Sequence, residues 1–287
     1  MSNKVRFLVL DGYSKEGRED LQAGGASTAG SLYERMLKRC HPGCAVDILY
    51  PGDPDASLPK GAAIEQYDGI AWTGSSLTIH KPDPKVTPQI EFARAAFDAG
   101  VPSFGTCWAA QIAVVAAGGL CAENPKGREM GIARKIELTA AGRAHPMYIG
   151  KRSVFDAFIS HDDEITHLPP GGVVLSSNTF TAVQSVAVTH NGGAFWSLQY
   201  HPEYDLHELS RLCYCRKQKL TEKGFFLNVD DAQVFVDQLE ALFQDPLRKD
   251  ISWLLGIDED VINDDLRLRE VYNWIEQLVL PTKARRG

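Results

Sequence analysis

Val101-Pro102-Ser103-Phe104-Gly105-Thr106-Cys107-Trp108-Ala109-Ala110-Gln111 is the stretch on which the fold turns. A short apolar run stops at Gly105. Helix-compatible residues begin at Cys107, continue through an apolar run at 112–117 and end at Gly118-Gly119. This pattern predicts a buried strand, a one-residue turn and a buried helix closed by glycine. Cys107 then stands at the first helical turn, where unpaired N–H groups and the helix dipole favour thiolate over thiol. Gly105 and Ala109, two before and two after it, leave room for a sharp, strained elbow. A lone cysteine there also reads as a small buried core residue with no chemistry attached.

A second segment shifts the balance: Gly193-Ala194-Phe195-Trp196-Ser197-Leu198-Gln199-Tyr200-His201-Pro202-Glu203-Tyr204. Its aromatic and apolar first half follows the Asn191-Gly192 turn signal and predicts a strand. His201 and Glu203 sit at i and i+2 at its end, on one face if the chain is extended, with Pro202 stiffening the link. A carboxylate beside an imidazole sets its tautomer and stabilises the imidazolium. Such an imidazole can take a proton from a thiol and return it to a leaving amine. Cys107, His201 and Glu203 therefore make a candidate catalytic set.

Taken in chain order, the motifs resemble a known family. The 105–111 elbow resembles the G-x-C-x-G-x-Q segment of class I glutamine amidotransferases, and His201-Pro202-Glu203 resembles their H-P-E. Asp68-Gly69-Ile70-Ala71-Trp72-Thr73-Gly74-Ser75 is similar to their D-G-(apolar)-(apolar)-S-G-G oxyanion segment. GMP-synthase-like stand-alone glutaminase domains are the branch it is most similar to. Ala109 and Ser75 each replace a glycine of the family pattern. Ala109 is small enough to keep the elbow, whereas Ser75 has less freedom in φ.

The resemblance implies an α/β, flavodoxin-like amidotransferase fold over residues 1–205, followed by a helical extension over 206–287. It implies a Cys107–His201–Glu203 triad and an oxyanion hole from the backbone N–H groups of Ser75 and Trp108. It also implies a glutamyl pocket touched by Gly74, Gln111 and His161. His161 lies in Ser160-His161-Asp162-Asp163-Glu164, which is similar to the family's S-H-x-D. Residue by residue, that segment reads equally as an acidic surface turn, and Gln111 equally as a buried helix amide. No metal or organic cofactor is required by this chemistry.

Composition agrees with a globular enzyme: 287 residues, 44% hydrophobic and 23% charged. A net charge of −7 argues against a nucleic-acid partner. The six cysteines lack both a disulfide framework and zinc-ligand spacing, so reduced thiols in a cytoplasm are expected. The apolar run at 7–10 is too short for a signal peptide, and no stretch is long enough to span a bilayer.

Elsewhere, strands are expected at 5–10, 45–49 and 68–72, with helices at 28–39 and 85–99 and a charged loop over 11–25. Alternation of strand and helix predicts a mostly parallel sheet with helices on both faces. Strands at 134–138, 154–159, 173–175 and 183–188 predict an antiparallel side sheet. Helical spacing recurs at 206–220, 230–243, 247–256 and 261–280, with breaks at Gly256 and Pro281. Trp253 and Trp274 are expected to pack on the main domain, and 283–287 to form a frayed basic end.

The expected reaction is hydrolysis of the γ-carboxamide of glutamine through a γ-glutamyl thioester, releasing ammonia and glutamate. The chain has no Walker motif or synthetase half, so a separate ammonia-accepting synthetase is one implied partner. The alternatives are a stand-alone hydrolase of γ-glutamyl peptides or conjugates, and a non-catalytic module that keeps the fold. Oligomeric state stays open, since the tail helices could cap the core, pair subunits or dock a partner.

Overall fold

The computed structural model describes residues 4–54, 56–59 and 61–286. Residues 1–3, 55, 60 and 287, which fall within the expected domains and basic end, lie outside the described residues. The first half runs β1 (Arg6–Leu10), α1 (Lys15–Ala23), α2 (Ala29–Cys40), β2 (Ala45–Leu49), β3 (Gly69–Trp72), α3 (Thr87–Asp98), β4 (Ser103–Thr106) and α4 (Trp108–Ala116). It continues with β5 (Leu120–Glu123), β6 (Glu129–Leu138), α5 (Ala140–Ala144), β7 (Val154–His161), β8 (Asp163–His167), β9 (Gly172–Ser177), β10 (Ser185–His190) and β11 (Gly193–Leu198). Helices follow: α6 (Leu206–Glu222), α7 (Val229–Gln244), α8 (Lys249–Leu255), α9 (Glu259–Ile262), α10 (Asp264–Arg267), α11 (Arg269–Trp274) and α12 (Leu280–Arg286).

Nine strands form one sheet in the order β2-β1-β3-β4-β11-β10-β9-β6-β7. From β2 to β11 the neighbours are parallel; from β11 to β7 they are antiparallel. Within the parallel half β1, β3 and β4 are buried on both faces, while the edge strand β2 is mostly half-buried. Along β1 the period of two sends Phe7 and Val9 to one core and Leu8 and Leu10 to the other. The first core is closed by Tyr33, Met36 and Leu37 of α2 and by Val271 and Trp274 of α11. The second is closed by Ala93, Ala96 and Phe97 of α3 and by Ile112 and Val114 of α4. A third cluster joins α6 and α7 to Tyr13, Leu21 and Phe158.

Several local expectations need correction. The 11–25 segment carries a helix, α1, because Ser14 caps it by accepting from the Gly17 N–H at 3.2 Å. Only Leu21 of that helix is buried, so it has no apolar period to read. The segment 160–164 is no surface turn: Ser160 and His161 end β7, Asp163 opens β8, and all three are buried. Strand β8 pairs with β5 in a small second sheet, and neither has the apolar alternation of a half-buried strand.

Trp274 is fully buried, 5.5 Å from both Phe7 and Phe104, but Trp253 is 79% exposed. Trp274 rests where Gly69 has no side chain; a Cβ there would lie 2.9 Å from its ring. The helical tail does not stop at Pro281. A π-helical turn at Ile275–Val279 shifts the hydrogen-bond register ahead of the proline, whose ring would otherwise meet the carbonyl four residues back. Residues 283–286 are helical and anchored rather than frayed: Lys283 donates to Asp68 at 2.7 Å and Arg286 to the Tyr67 carbonyl at 3.1 Å. All six cysteines are free thiols. Among the described residues no helix is long and apolar enough to cross a membrane.

Candidate active site

Loops that follow the carboxyl ends of β1, β3, β4 and β11 meet at one rim of the sheet, where ligands of open α/β folds bind. Cys107 sits there as the residue between β4 and α4, with φ 53° and ψ −101°. That conformation is rare outside glycine and is held by the surrounding packing. Its N–H donates to the Leu198 carbonyl at 2.7 Å, which ties the elbow to the end of β11. Gly105 makes the turn sterically feasible: a Cβ there would lie 2.3 Å from Ala109 Cβ and 2.5 Å from the Trp72 carbonyl. So Ala109 fits because residue 105 has no side chain.

Parallel pairing sets Thr106 of β4 opposite Leu198 of β11. One residue on is Cys107 and three residues on is His201, and both line the same cavity of about 120 Å³. The His201 ring is buried, stacked on Tyr204 at 4.1 Å and nearly parallel to it. Its Nδ1 lies 2.7 Å from Glu203 Oε1, while Nε2 has no hydrogen-bond partner within the protein. Burial alone would lower the imidazole pKa. The charges of Glu203 and Cys107 and the hydrogen bond to Glu203 outweigh it, raising the value to about 9. The motif thus favours an imidazolium beside sulfur.

Two residues that the sequence did not single out hold Glu203. Thr106 donates to Glu203 Oε1 at 2.9 Å, and the Tyr33 hydroxyl lies 2.8 Å from Thr106 Oγ1. Thr106 adjoins Cys107 in sequence, and that adjacency is the one local signal for it. Tyr33, on α2, carries no such signal.

Gly74 and Ser75 follow β3 across the mouth. A Cβ on Gly74 would lie 3.2 Å from His201 Cε1, so its lack of a side chain lets the ring close in. Neither residue has positive φ, so serine at 75 is accommodated without backbone strain. Ser75 Oγ donates to the Gly12 carbonyl at 2.8 Å and accepts from the Leu77 N–H at 3.1 Å. Trp108 opens α4, its indole N–H donating to Gln89 Oε1 at 2.8 Å.

Gln111 lines the cavity, with Nε2 3.5 Å from the Asp163 carbonyl. His161 lines it too, but both ring nitrogens are engaged by the protein: Nδ1 with the Asp163 carbonyl at 2.8 Å and Nε2 with Glu129 Oε2 at 3.1 Å. Burial would raise the Glu129 carboxyl; hydrogen bonds from His161, Asn178 and Thr181 bring it below its usual range instead. The cavity lining also carries cations that no sequence motif points to, Arg128 just before β6 and Arg216 and Lys219 from α6. Helix α6 belongs to the expected helical extension, and nothing in its spacing points to this cavity.

Comparison with known proteins agrees with this architecture. The family model for glutamine amidotransferase class-I matches residues 31–213. A γ-glutamyl-L-1-hydroxyisopropylamide hydrolase from a Pseudomonas species is 34% identical over 99% of this chain and 96% of its own. The glutamine-hydrolysing GMP synthase of Thermomicrobium roseum is 31% identical over 61% of this chain, which spans only 30% of that relative's length. Among solved structures, a glutamine amidotransferase from Thermotoga maritima superposes with a TM-score of 0.69 at 14% identity, covering 97% of this chain and 99% of that one. One from Methylobacillus flagellatus gives 0.66 at 19% identity, over 96% and 95%. At such identities the likeness is one of fold.

Proposed function

This chain belongs to the glutamine amidotransferase class-I family, and from that premise we propose that it hydrolyses γ-glutamyl amides with Cys107 as nucleophile. One arrangement carries the reading: a cysteine on a strained elbow shares a cavity with an imidazole whose Nε2 is unpartnered and whose Nδ1 is held by a carboxylate. The Cys107 thiolate attacks the γ-carbonyl carbon, and the carbonyl oxygen takes the charge. Backbone N–H groups of Trp108 and Ser75 hold that oxyanion; one such donor is typically worth about 100- to 1000-fold in rate. The carbon–nitrogen bond breaks as the His201 imidazolium protonates the leaving amine, leaving a γ-glutamyl thioester. His201, now neutral, takes a proton from water; the hydroxide releases glutamate and the sulfur regains its charge. Glu203 orients the ring and stabilises its charged form.

In this reading Gln111 and Gly74 shape the glutamyl pocket, and His161 braces its wall through Glu129. Residues 1–205 carry the reacting groups, and 206–287 form the helical extension, whose α6 contributes Arg216 and Lys219 to the cavity lining. An N-alkyl or aminoacyl amide is favoured over free glutamine, because the near full-length match is to a hydrolase of an N-substituted γ-glutamyl amide and includes the extension. Glutaminase action feeding ammonia to a separate synthetase is the second reading, supported by the GMP synthases that match part of the chain.

The test compares purified protein on L-glutamine, L-γ-glutamylethylamide and γ-glutamyl dipeptides, following glutamate and amine release. Cys107→Ala should abolish turnover while leaving the thermal melt unchanged. Turnover retained in that variant would end the proposal. Ammonia release from glutamine that appears only when a synthetase is added would favour the second reading.

A further inference from the structure

In the cavity that Cys107 lines, two guanidiniums converge on one hydroxyl. Arg128 Nη2 donates to Ser160 Oγ at 2.7 Å and Arg216 Nη1 donates to the same oxygen at 3.0 Å. Arg128 is only 9% exposed, and its Nε has no hydrogen-bond partner. Its ion pair is with Asp162, which is also bound by Lys223. Arg216 has no carboxylate within ion-pair distance among the described residues, and Lys219 lines the same cavity. Asp162, in the same lining, compensates Arg128, Lys219 and Lys223, which leaves Arg216, hydrogen-bonded to Tyr13, as the cation there without a carboxylate. A carboxylate suits two such planar forks.

Ser160 also sets the spacing. Its carbonyl oxygen is the contact of Cys107 Sγ, at 3.6 Å, and its hydroxyl is the contact of both arginines. Those two serine oxygens are separated by four covalent bonds. In a γ-glutamyl group, four carbon–carbon bonds of about 1.5 Å each separate the reacting carbon from the α-carboxylate carbon. We propose that Arg128 and Arg216 together bind the α-carboxylate of the γ-glutamyl group and so place its γ-carbonyl at Cys107. This rests on the γ-glutamyl reading above. It makes α6 part of the recognition surface, through a residue beyond the 31–213 span of the family match. The enzyme would accept varied amines but require a free α-carboxylate.

Calorimetry on Cys107→Ala protein separates binding from turnover. The probes are L-glutamine and L-γ-glutamylethylamide, each beside its α-carboxamide counterpart. The carboxylate forms should bind about 10- to 100-fold more tightly. Adding Arg216→Met should erase that preference, and Arg216→Lys should restore part of it, with melting curves confirming the fold. In the otherwise wild-type chain, Arg216→Met should raise KM for the carboxylate substrate far more than it lowers kcat. Equal binding of carboxylate and carboxamide, no measurable binding of either carboxylate form, or a preference that survives Arg216→Met in a folded protein would overturn the assignment. A wild-type chain inert toward every amide, whose Cys107→Ala form still binds in a carboxylate-dependent way, would sink the hydrolytic reading and leave this one standing.

Discussion

His201 Nδ1 and Glu203 Oε1 are 2.7 Å apart although only Pro202 separates the two residues, and Glu203 Oε1 also accepts from Thr106 on the neighbouring parallel strand. The imidazole is thus fixed from its own segment and from the segment that carries the sulfur.

The first prediction concerns pH. The His201 pKa is raised to about 9, with burial opposed by Glu203 and Cys107. In the proposed reaction the imidazolium is the acid, so kcat/KM should fall on the alkaline side with an apparent pKa near that value. Glu203→Gln should lower kcat by about 100- to 10,000-fold and move the alkaline limb to lower pH. The folded state also keeps a proton that the unfolded chain gives up above about pH 6.5. That contribution to stability is whole below this pH and is lost as pH rises toward 9. A pH–rate profile of each protein decides; an alkaline limb unmoved in Glu203→Gln would contradict the assignment.

Thr106→Val keeps the shape of the side chain while removing the donor to Glu203 and the contact with Tyr33. A hydrogen bond to a charged group is worth about 1.5–3 kcal/mol, so kcat should drop roughly 10- to 100-fold with KM little changed. Tyr33→Phe should do less, since Thr106 still reaches the carboxylate. Steady-state kinetics on both variants tests the order.

At the elbow, Gly105→Ala places a methyl 2.3 Å from Ala109 Cβ and 2.5 Å from the Trp72 carbonyl, with no flexible neighbour to yield. Destabilisation of about 3 kcal/mol or more is expected, together with loss of turnover. The converse change, Ala109→Gly, restores the family's glycine and should cost only about 1 kcal/mol of helix propensity while preserving activity. Chemical denaturation of the pair, scored beside turnover, distinguishes a steric from a chemical role.

Beneath the helical tail, Lys151 Nζ lies 3.1 Å from Glu270 Oε2, with side chains 4% and 0% exposed. Glu270 also accepts from the Tyr200 hydroxyl at 2.6 Å, linking α11 to the sheet. Lys151→Met leaves that carboxylate buried without its cation and should cost about 3–5 kcal/mol, or roughly 10 °C in Tm. Adding Glu270→Gln should recover part of the loss. Thermal melts of single and double variants suffice; additive losses would show that the pair is not coupled.

Much of the fold was legible because each buried strand and helix of the parallel half carries its own apolar period, from Phe7–Leu10 to the α4 run. What stayed hidden lacks such a period. Helix α1 buries one side chain, β5 and β8 pair in a small separate sheet, and Pro281 is tolerated only because of the π turn before it. Trp253 and Trp274 have the same residue type and helical setting, yet one is solvent-facing and one fills the core. Side-chain chemistry alone does not distinguish them.

The chain by itself determined that a cysteine would stand on a strand-to-helix bend and that an imidazole and a carboxylate would end a later strand, because both are local consequences of residue pattern. Tertiary structure alone decided that these groups meet, through the register that sets Thr106 opposite Leu198, and that Tyr33, Arg128 and Arg216 join them. Such contacts span tens to hundreds of residues. They follow from how two sheet faces and a docked helix pack together, which no local stretch of sequence encodes.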